Sequence, residues 1–219
     1  MAILDGRYRG PVPAAKLITI EGIDGAGKST LAQALAEALR EQGIPLELLR
    51  EPGGVLLSER IRALVKDPAL MVSPPAEALL YAAARAELVH ERVLPLLRAG
   101  TWVLLDRFVD SSLAYQGAGR DLGIEQVRAV NLLATDGLEP DRTLLLRVAP
   151  TTGRARQGIR DDEPDRLERE GQPFFERIAC AYDALAAAEP ARIRPIDAEQ
   201  PPSVVLERAL AEIADLLAR

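Results

Sequence analysis

Short apolar runs alternate along this chain with longer stretches in which apolar positions recur every three or four residues. Leu17-Ile18-Thr19-Ile20, Leu46 to Arg50, Trp102-Val103-Leu104-Leu105, Thr143 to Val148 and Arg192 to Ile196 are short, apolar and bounded by breakers, which predicts five strands. Leu31, Ala34, Leu35, Ala38 and Leu39 share one helical face, and Gly43 and Pro45 end that helix. Pro75 to Ala99 reads as one long helix, bent near its end by Pro95, because proline lacks an N–H and crowds the preceding turn. Ile124 to Thr135 and Val204 to Leu217 read as two more helices. Phe174, Phe175, Ile178, Cys180 and Tyr182 also follow a helical pattern, which makes Cys180 a small core residue, while Trp102 reads as packing and His90 as helix surface or interface. Strands alternating with helices predict an α/β fold, a parallel sheet covered on both faces. Residues 1–15 carry two glycines, two prolines and scattered charges, and read as a poorly ordered N-terminal extension to a single domain, 16–219. The run from Arg154 to Gly171 is dense in charge and poor in large apolar residues, so it reads as exposed and mobile.

Composition narrows the class. The 219 residues are 48% hydrophobic and 27% charged, ordinary for a globular protein. A net charge of −6 argues against a nucleic-acid or membrane-surface binder but leaves room for a local basic pocket. One cysteine excludes an intrachain disulfide, and one histidine excludes histidine-cluster metal chemistry. No apolar run approaches the roughly 20 residues of a membrane span, and no secretory signal is visible, so the expectation is a cytoplasmic protein without membrane contact.

One motif carries chemistry by itself. Gly22-Ile23-Asp24-Gly25-Ala26-Gly27-Lys28-Ser29 fits G-x-x-x-x-G-K-[ST], with a strand before it and a helix after it. Glycines let the backbone curl so that successive N–H groups face phosphate oxygens, and the helix N-terminus adds partial positive charge. Lys28 supplies a full charge for the β- and γ-phosphates, and Ser29 offers a hydroxyl to Mg²⁺. The loop says nucleotide and leaves the reaction open among ATPases, GTPases and small-molecule kinases. A short chain without an N-K-x-D segment, and Asp24 inside the loop where a carboxylate meets an acceptor hydroxyl, favour a kinase of small molecules.

Several motifs together resemble one family. Ile20 to Thr30 (IEGIDGAGKST), Arg50 to Gly54 (REPGG), Leu79 to Val89 (LLYAAARAELV), Leu104 to Gly117 (LLDRFVDSSLAYQG), Asp165 to Glu168 (DRLE) and Pro195 to Ala198 (PIDA) appear in the order of the thymidylate kinases, and the resemblance runs from Lys16 onward. It implies a P-loop fold with a five-stranded parallel sheet and a short charged lid near 154–171, transfer of the γ-phosphate of ATP to dTMP with Mg²⁺, and a homodimer. On the matching positions it implies that Gly22, Asp24, Gly25, Ala26, Gly27, Lys28, Ser29, Thr30, Asp197 and Ala198 bind ATP. It implies that Asp24 holds the sugar 3′-hydroxyl, Arg107 meets the acceptor phosphate, Tyr81 stacks on the base, Arg85 reads its edge and Tyr115 closes off a 2′-hydroxyl. Glu51, Pro52, Ser111, Ser112 and Gln116 complete the acceptor lining. Asp106, at a strand end, is placed to orient Mg²⁺ beside Ser29 or to cap the next turn. Gly25 in the loop pairs with lid arginines, Arg156 and Arg160, as suppliers of the catalytic guanidinium.

Two departures stand out: Arg147, where the family commonly has aspartate, and a lid interrupted by Gly158-Ile159 and followed by Asp161-Asp162-Glu163. A kinase of another nucleoside monophosphate or of a deoxynucleoside is one alternative. A nucleotide-binding regulatory module without turnover, supported by those departures alone, is another.

Overall fold

The computed structural model describes residues 15–158 and 164–217. Five strands, β1 (Leu17–Glu21), β2 (Leu46–Arg50), β3 (Trp102–Asp106), β4 (Arg142–Arg147) and β5 (Ile193–Asp197), form one parallel sheet in the order β2-β3-β1-β4-β5. Their bounds agree with the predicted strands to within one residue. In chain order the helices are α1 (Lys28–Glu41), α2 (Leu56–Lys66), α3 (Pro74–Leu88), α4 (Leu94–Arg98), α5 (Val109–Ser112), α6 (Ile124–Thr135), α7 (Pro150–Gln157), α8 (Gln172–Ala188), α9 (Pro202–Glu212) and α10 (Ala214–Leu217).

The period of two explains why both faces are covered. On β3, Trp102 and Leu104 enter the cluster that contains Leu35 and Leu39 of α1, while Val103 and Leu105 enter the one that contains Leu88, Val89 and Val93. Every one of these side chains is buried, and each contributes about 1.5–3 kcal/mol relative to exposure. With β1 between β3 and β4, the loops that follow β1 and β3 lie side by side at the carboxyl edge of the sheet. That edge is where open α/β sheets place their ligands.

The helices depart from expectation in instructive ways. The long helix predicted over 75–99 is broken earlier than Pro95: α3 passes into a π-helical turn, Val89–Val93, and then α4. Proline at 95 cannot donate to the carbonyl of Glu91 and crowds it, and the widened turn immediately before it takes up the misfit. α2 was not predicted. Its buried residues, Ser58, Ile61 and Val65, are mixed with exposed Leu56, Leu57 and Leu64, which blurs the amphipathic pattern. The helix expected over 204–217 starts at Pro202 and breaks at Ile213.

Cys180 is exposed, which corrects its reading as core. Ile178 and Tyr182, four apart, take the buried stripe, and two residues of about 100° each turn Cys180 to the outer side. Among its described residues the charged run is less exposed than expected: α7 extends to Gln157, and Leu167 is buried in the main core. Arg147 is exposed and pairs with Asp183 of α8 at 2.9 Å, so its charge has both water and a partner. Residues 1–14 of the expected extension lie outside the described residues, and Ala15 already packs against the core.

Candidate active site

The phosphate loop joins β1 to α1 as the sequence predicts. Gly25 has φ 78°, and a Cβ placed there would stand 2.1 Å from the carbonyl oxygen of Gly153 in α7. Only glycine satisfies both the left-handed backbone and this close approach. The fit is mutual, because a Cβ on Gly153 would stand 2.7 Å from the carbonyl oxygen of Asp24. α7 therefore lies directly on the loop.

Lys28 is buried, and its Nζ donates to the carbonyl of Ile23 at 2.8 Å and stands 4.0 Å from Asp24. Burial first, and then the charge of Arg107, push its ammonium down to about 8. Ser29 Oγ donates to Asp106 Oδ2 at 2.7 Å, and Asp106 is the last residue of β3, in register with Ile20 of β1. Two hard oxygen groups thus meet at the mouth of the phosphate loop. This donor set suits Mg²⁺, which takes one or two protein oxygens and completes its shell with water and phosphate. No group of three or more carboxylate, cysteine or histidine ligands exists among the described residues, so a cage that would hold a metal without nucleotide is not built there.

Arg107 follows Asp106 with φ 73°, a left-handed conformation that is strained for a side chain of this size. The turn aims the guanidinium across the loop. Nη1 donates to the carbonyl of Gly22 at 3.1 Å and to Ser111 Oγ at 3.0 Å, Nη2 pairs with Asp24, and the group lies 5.0 Å from the centre of the Tyr115 ring. Tyr115 Oη donates to the other oxygen of Asp24 at 2.7 Å. Burial works to raise the Asp24 pKa, but Arg107, Lys28 and these hydrogen bonds outweigh it and hold the carboxyl well below its ordinary range. Asp24 is ionised at neutral pH.

Beneath Arg107 lies a group that sequence reasoning missed. Glu21, the last residue of β1, is fully buried; it accepts the backbone N–H of Phe108 at 2.7 Å, Ser111 Oγ at 2.5 Å and Tyr182 Oη at 3.0 Å. Burial, and secondarily the charge of Asp110, push it up to about 7. Its bonds pin the 108–111 segment that carries Arg107. The only signal in the sequence is an acidic residue closing an apolar strand.

The acceptor half of the cleft is lined by Glu51, Pro52, Tyr81, Arg85, Ser111, Ser112, Tyr115 and Gln116, so every acceptor residue expected from the sequence shares one cavity of about 230 Å³ with Asp24, Lys28, Ser29 and Arg107. A π-helical turn, Leu113–Gly119, follows α5 and carries Tyr115 and Gln116 into this wall. Arg85 is 2% exposed. Its Nε and Nη2 meet Glu51, Nη2 also donates to the carbonyl of Phe108 at 2.8 Å, and Nη1 serves Ser112 at 2.9 Å and Asn131. Glu51 keeps one oxygen, Oε1, buried at this wall without a partner. Arg62 and Lys66, four apart on α2, add positive charge to the cleft, and sequence reasoning missed both along with their helix.

Asp197 and Ala198 do not line this cavity. They lie beyond α7, where Arg156 Nη1 donates to the carbonyl of Ala198 at 3.0 Å. Asp197 borders a larger hollow of about 480 Å³ between β4, α7 and α8, which holds none of the other predicted residues. Arg160 lies outside the described residues.

A phosphate loop on a five-stranded parallel sheet, with an arginine-lined acceptor cleft facing it, defines a P-loop kinase of small phosphorylated acceptors. Comparison with known proteins narrows the class. The sequence model described as Thymidylate kinase matches residues 20–209. Thymidylate kinases from Halorhodospira halophila and Alkalilimnicola ehrlichii are 47% and 48% identical over 202 residues, covering 91% and 90% of this chain and 94% and 92% of theirs. The crystal structure of thymidylate kinase from Ehrlichia chaffeensis superposes with a TM-score of 0.74 at 30% identity, covering 91% of this chain and 98% of that one. The chain belongs to the thymidylate kinase family.

Proposed function

We propose that the cleft binds dTMP with its phosphate at Arg107 and its base between Tyr81 and Arg85, facing ATP held by the phosphate loop. As a member of its family, the chain transfers the γ-phosphate of ATP to dTMP and releases dTDP and ADP, with Mg²⁺ as the accompanying ion. The observation that carries the assignment of roles is the Asp24–Arg107–Tyr115 cluster, which joins the phosphate loop to the acceptor wall.

The chemistry asks little of a general base. The acceptor oxygen belongs to a phosphate that is already ionised, so the protein has to bring two anions together and stabilise the charge that develops between them. Mg²⁺, held at Ser29 and Asp106, would offset charge on the donor phosphates. Lys28 and Arg107 supply fixed positive charge on the donor and acceptor sides. Asp24, ionised and held by Arg107 and Tyr115, presents a carboxylate to the sugar hydroxyl. Tyr115 fills the adjacent space, where a 2′-hydroxyl would go. Arg156, at the carbonyl of Ala198, marks the nucleotide side of α7, where Asp197 and Ala198 would meet the adenosine. Arg160 would come from the charged segment to the transferred phosphoryl group, and closure of that segment would exclude water.

Lys28→Ala and Arg85→Ala, compared by steady-state kinetics, test these roles. The first is expected to cut turnover by roughly 10²-fold or more with the fold intact. The second raises KM for dTMP far more than KM for ATP. Near-normal turnover in the first, or equal losses for both substrates in the second, contradicts the assignment.

The second copy in a homodimer would dock on α2, α3 and α6. These helices pack in sequence, α2 on α3 and α3 on α6, and expose Leu57, Leu64, Leu79, Leu132 and Leu133. Apolar side chains gathered on one side of a molecule fit an interface between copies. No helix among the described residues is long and apolar enough to cross a membrane. A free, exposed Cys180 fits work in a reducing compartment such as the cytoplasm.

A further inference from the structure

One buried carboxylate collects three side chains from two separate parts of the chain. Glu77, in the first turn of α3, has no exposed surface. Its Oε1 accepts Gln116 Nε2 at 2.9 Å, and its Oε2 pairs with Arg166 Nη1 at 2.7 Å and Arg120 Nη2 at 3.2 Å. Arg120 also pairs with Glu170 and lies over the Phe174 ring at 4.9 Å. None of this belongs to the reacting groups described above.

Arg166 belongs to the D-R-L-E motif, for which the phosphoryl-transfer chemistry gives no role. In the structure the motif is a self-capped turn. Asp165 Oδ1 accepts the N–H groups of Leu167 at 2.9 Å and Glu168 at 3.0 Å, and Glu168 Oε2 accepts the N–H of Asp165 at 3.0 Å. The turn is tied to the end of α2: Lys66 Nζ meets Asp165 at 2.9 Å, and Arg166 donates from Nε to the carbonyl of Val65 at 3.1 Å. Asp165, Leu167 and Glu168 thereby form part of the cleft wall.

Gln116 stands in the same cleft and is the link to the substrate. A carboxylate only accepts hydrogen bonds, so Glu77 must hold the amide nitrogen of Gln116 and leaves its carbonyl oxygen as the end offered to a ligand. We propose that Glu77 is a positioning residue for the acceptor: it sets the amide of Gln116 and, through Arg166, anchors the D-R-L-E turn, so that both parts of the cleft wall hang from one carboxylate. The proposal rests on the assignment of this cleft to dTMP. Removing its charge leaves two guanidinium groups facing a neutral side chain, and the amide of Gln116 free to turn.

The test uses the full chain with Glu77→Gln, Glu77→Asp and Arg166→Met, reading steady-state kinetics and amide hydrogen exchange. Glu77→Gln is expected to raise KM for dTMP about tenfold while KM for ATP and kcat at saturating dTMP stay within about twofold. Glu77→Asp recovers part of the loss. Exchange quickens over residues 164–170 and stays unchanged in β1 and β3. Arg166→Met, which keeps the Gln116 bond, gives the same local exchange change with a smaller rise in KM. An unchanged KM for dTMP in Glu77→Gln overturns the proposal. So does a general loss, with kcat and both KM values worsening and exchange faster throughout. Should Glu77→Gln fail to fold, Arg166→Met decides alone, and normal exchange at 164–170 overturns the anchor. Absence of dTMP turnover in the unmodified chain is a different failure: it removes the cleft assignment, while the exchange data still report on the anchor.

Discussion

Arg85 and Glu21 show how buried charge is organised around the cleft. Arg85 directs its N–H groups to Glu51, Ser112, Asn131 and Phe108, so reading a base edge requires the guanidinium to share a donor it already uses. Its planar fork can serve two acceptors along one edge, which a lysine cannot. Glu21 is the opposite case, a carboxylate whose burial outweighs the help of Ser111, Arg107 and the N–H of Phe108, with Asp110 adding repulsion. Its pKa of about 7 in the folded protein stands above the ordinary 4.5. Between those values the folded protein keeps a proton that the unfolded chain has released. The stability Glu21 contributes is therefore full below pH 4.5 and lost as pH rises through 7. Over that window the loss is roughly 3 kcal/mol, and Glu21→Gln lacks it. Thermal unfolding of both proteins from pH 5 to pH 8 checks this: the advantage of the unmodified chain over Glu21→Gln should shrink as pH rises, and parallel curves would refute it. At this scale the phosphate-loop residues were legible because each type answers to a chemical need. Glu21, Arg62 and Lys66 were not, since a strand-end acid and two helix cations look like ordinary solvated charge until the fold turns them inward.

The phosphate loop and α7 act as one element. Gly25 and Gly153 approach too closely for either to carry a side chain. Arginine at position 25 has no room under α7. Gly153→Ala should lift α7 from the loop and carry Arg156 away from Ala198. The expected result is a fall in kcat/KM for ATP of about tenfold or more, with little change in melting temperature, since catalytic geometry is more sensitive to small displacements than stability is. Unchanged kinetics would show that the contact is incidental. Strands were legible to within a residue because turn residues bound short apolar runs. Helices were less so, for local reasons. α2 exposes all three of its leucines and buries Ser58 with Ile61 and Val65, the turn at Val89–Val93 relocates the break expected at Pro95, and nothing in the sequence marks Gly153 as a contact partner of the loop.

At the scale of the whole molecule, the cleft opens at the carboxyl edge of the sheet, and all the exposed leucines but Leu70 lie on α2, α3 and α6. Leu133 is 87% exposed and therefore adds little to the stability of a single chain. Leu133→Glu should leave the melting temperature of a monomer unchanged and shift sedimentation from dimer to monomer. Unmodified chain that sediments as a monomer at every concentration would refute the dimer. Arg147, the departure that supported a reading without turnover, is explained by its pairing with Asp183 at the surface, away from the reacting groups. Lys28, Ser29, Asp24, Asp106 and Arg107, by contrast, share one cleft. The most direct test is ADP release with ATP, Mg²⁺ and a panel of acceptors: dTMP, dUMP, dCMP, UMP, CMP, thymidine and none. Turnover that depends strongly on dTMP is the expected result. Protein that binds ATP yet releases ADP at the same rate with every acceptor, or with none, would contradict the assignment.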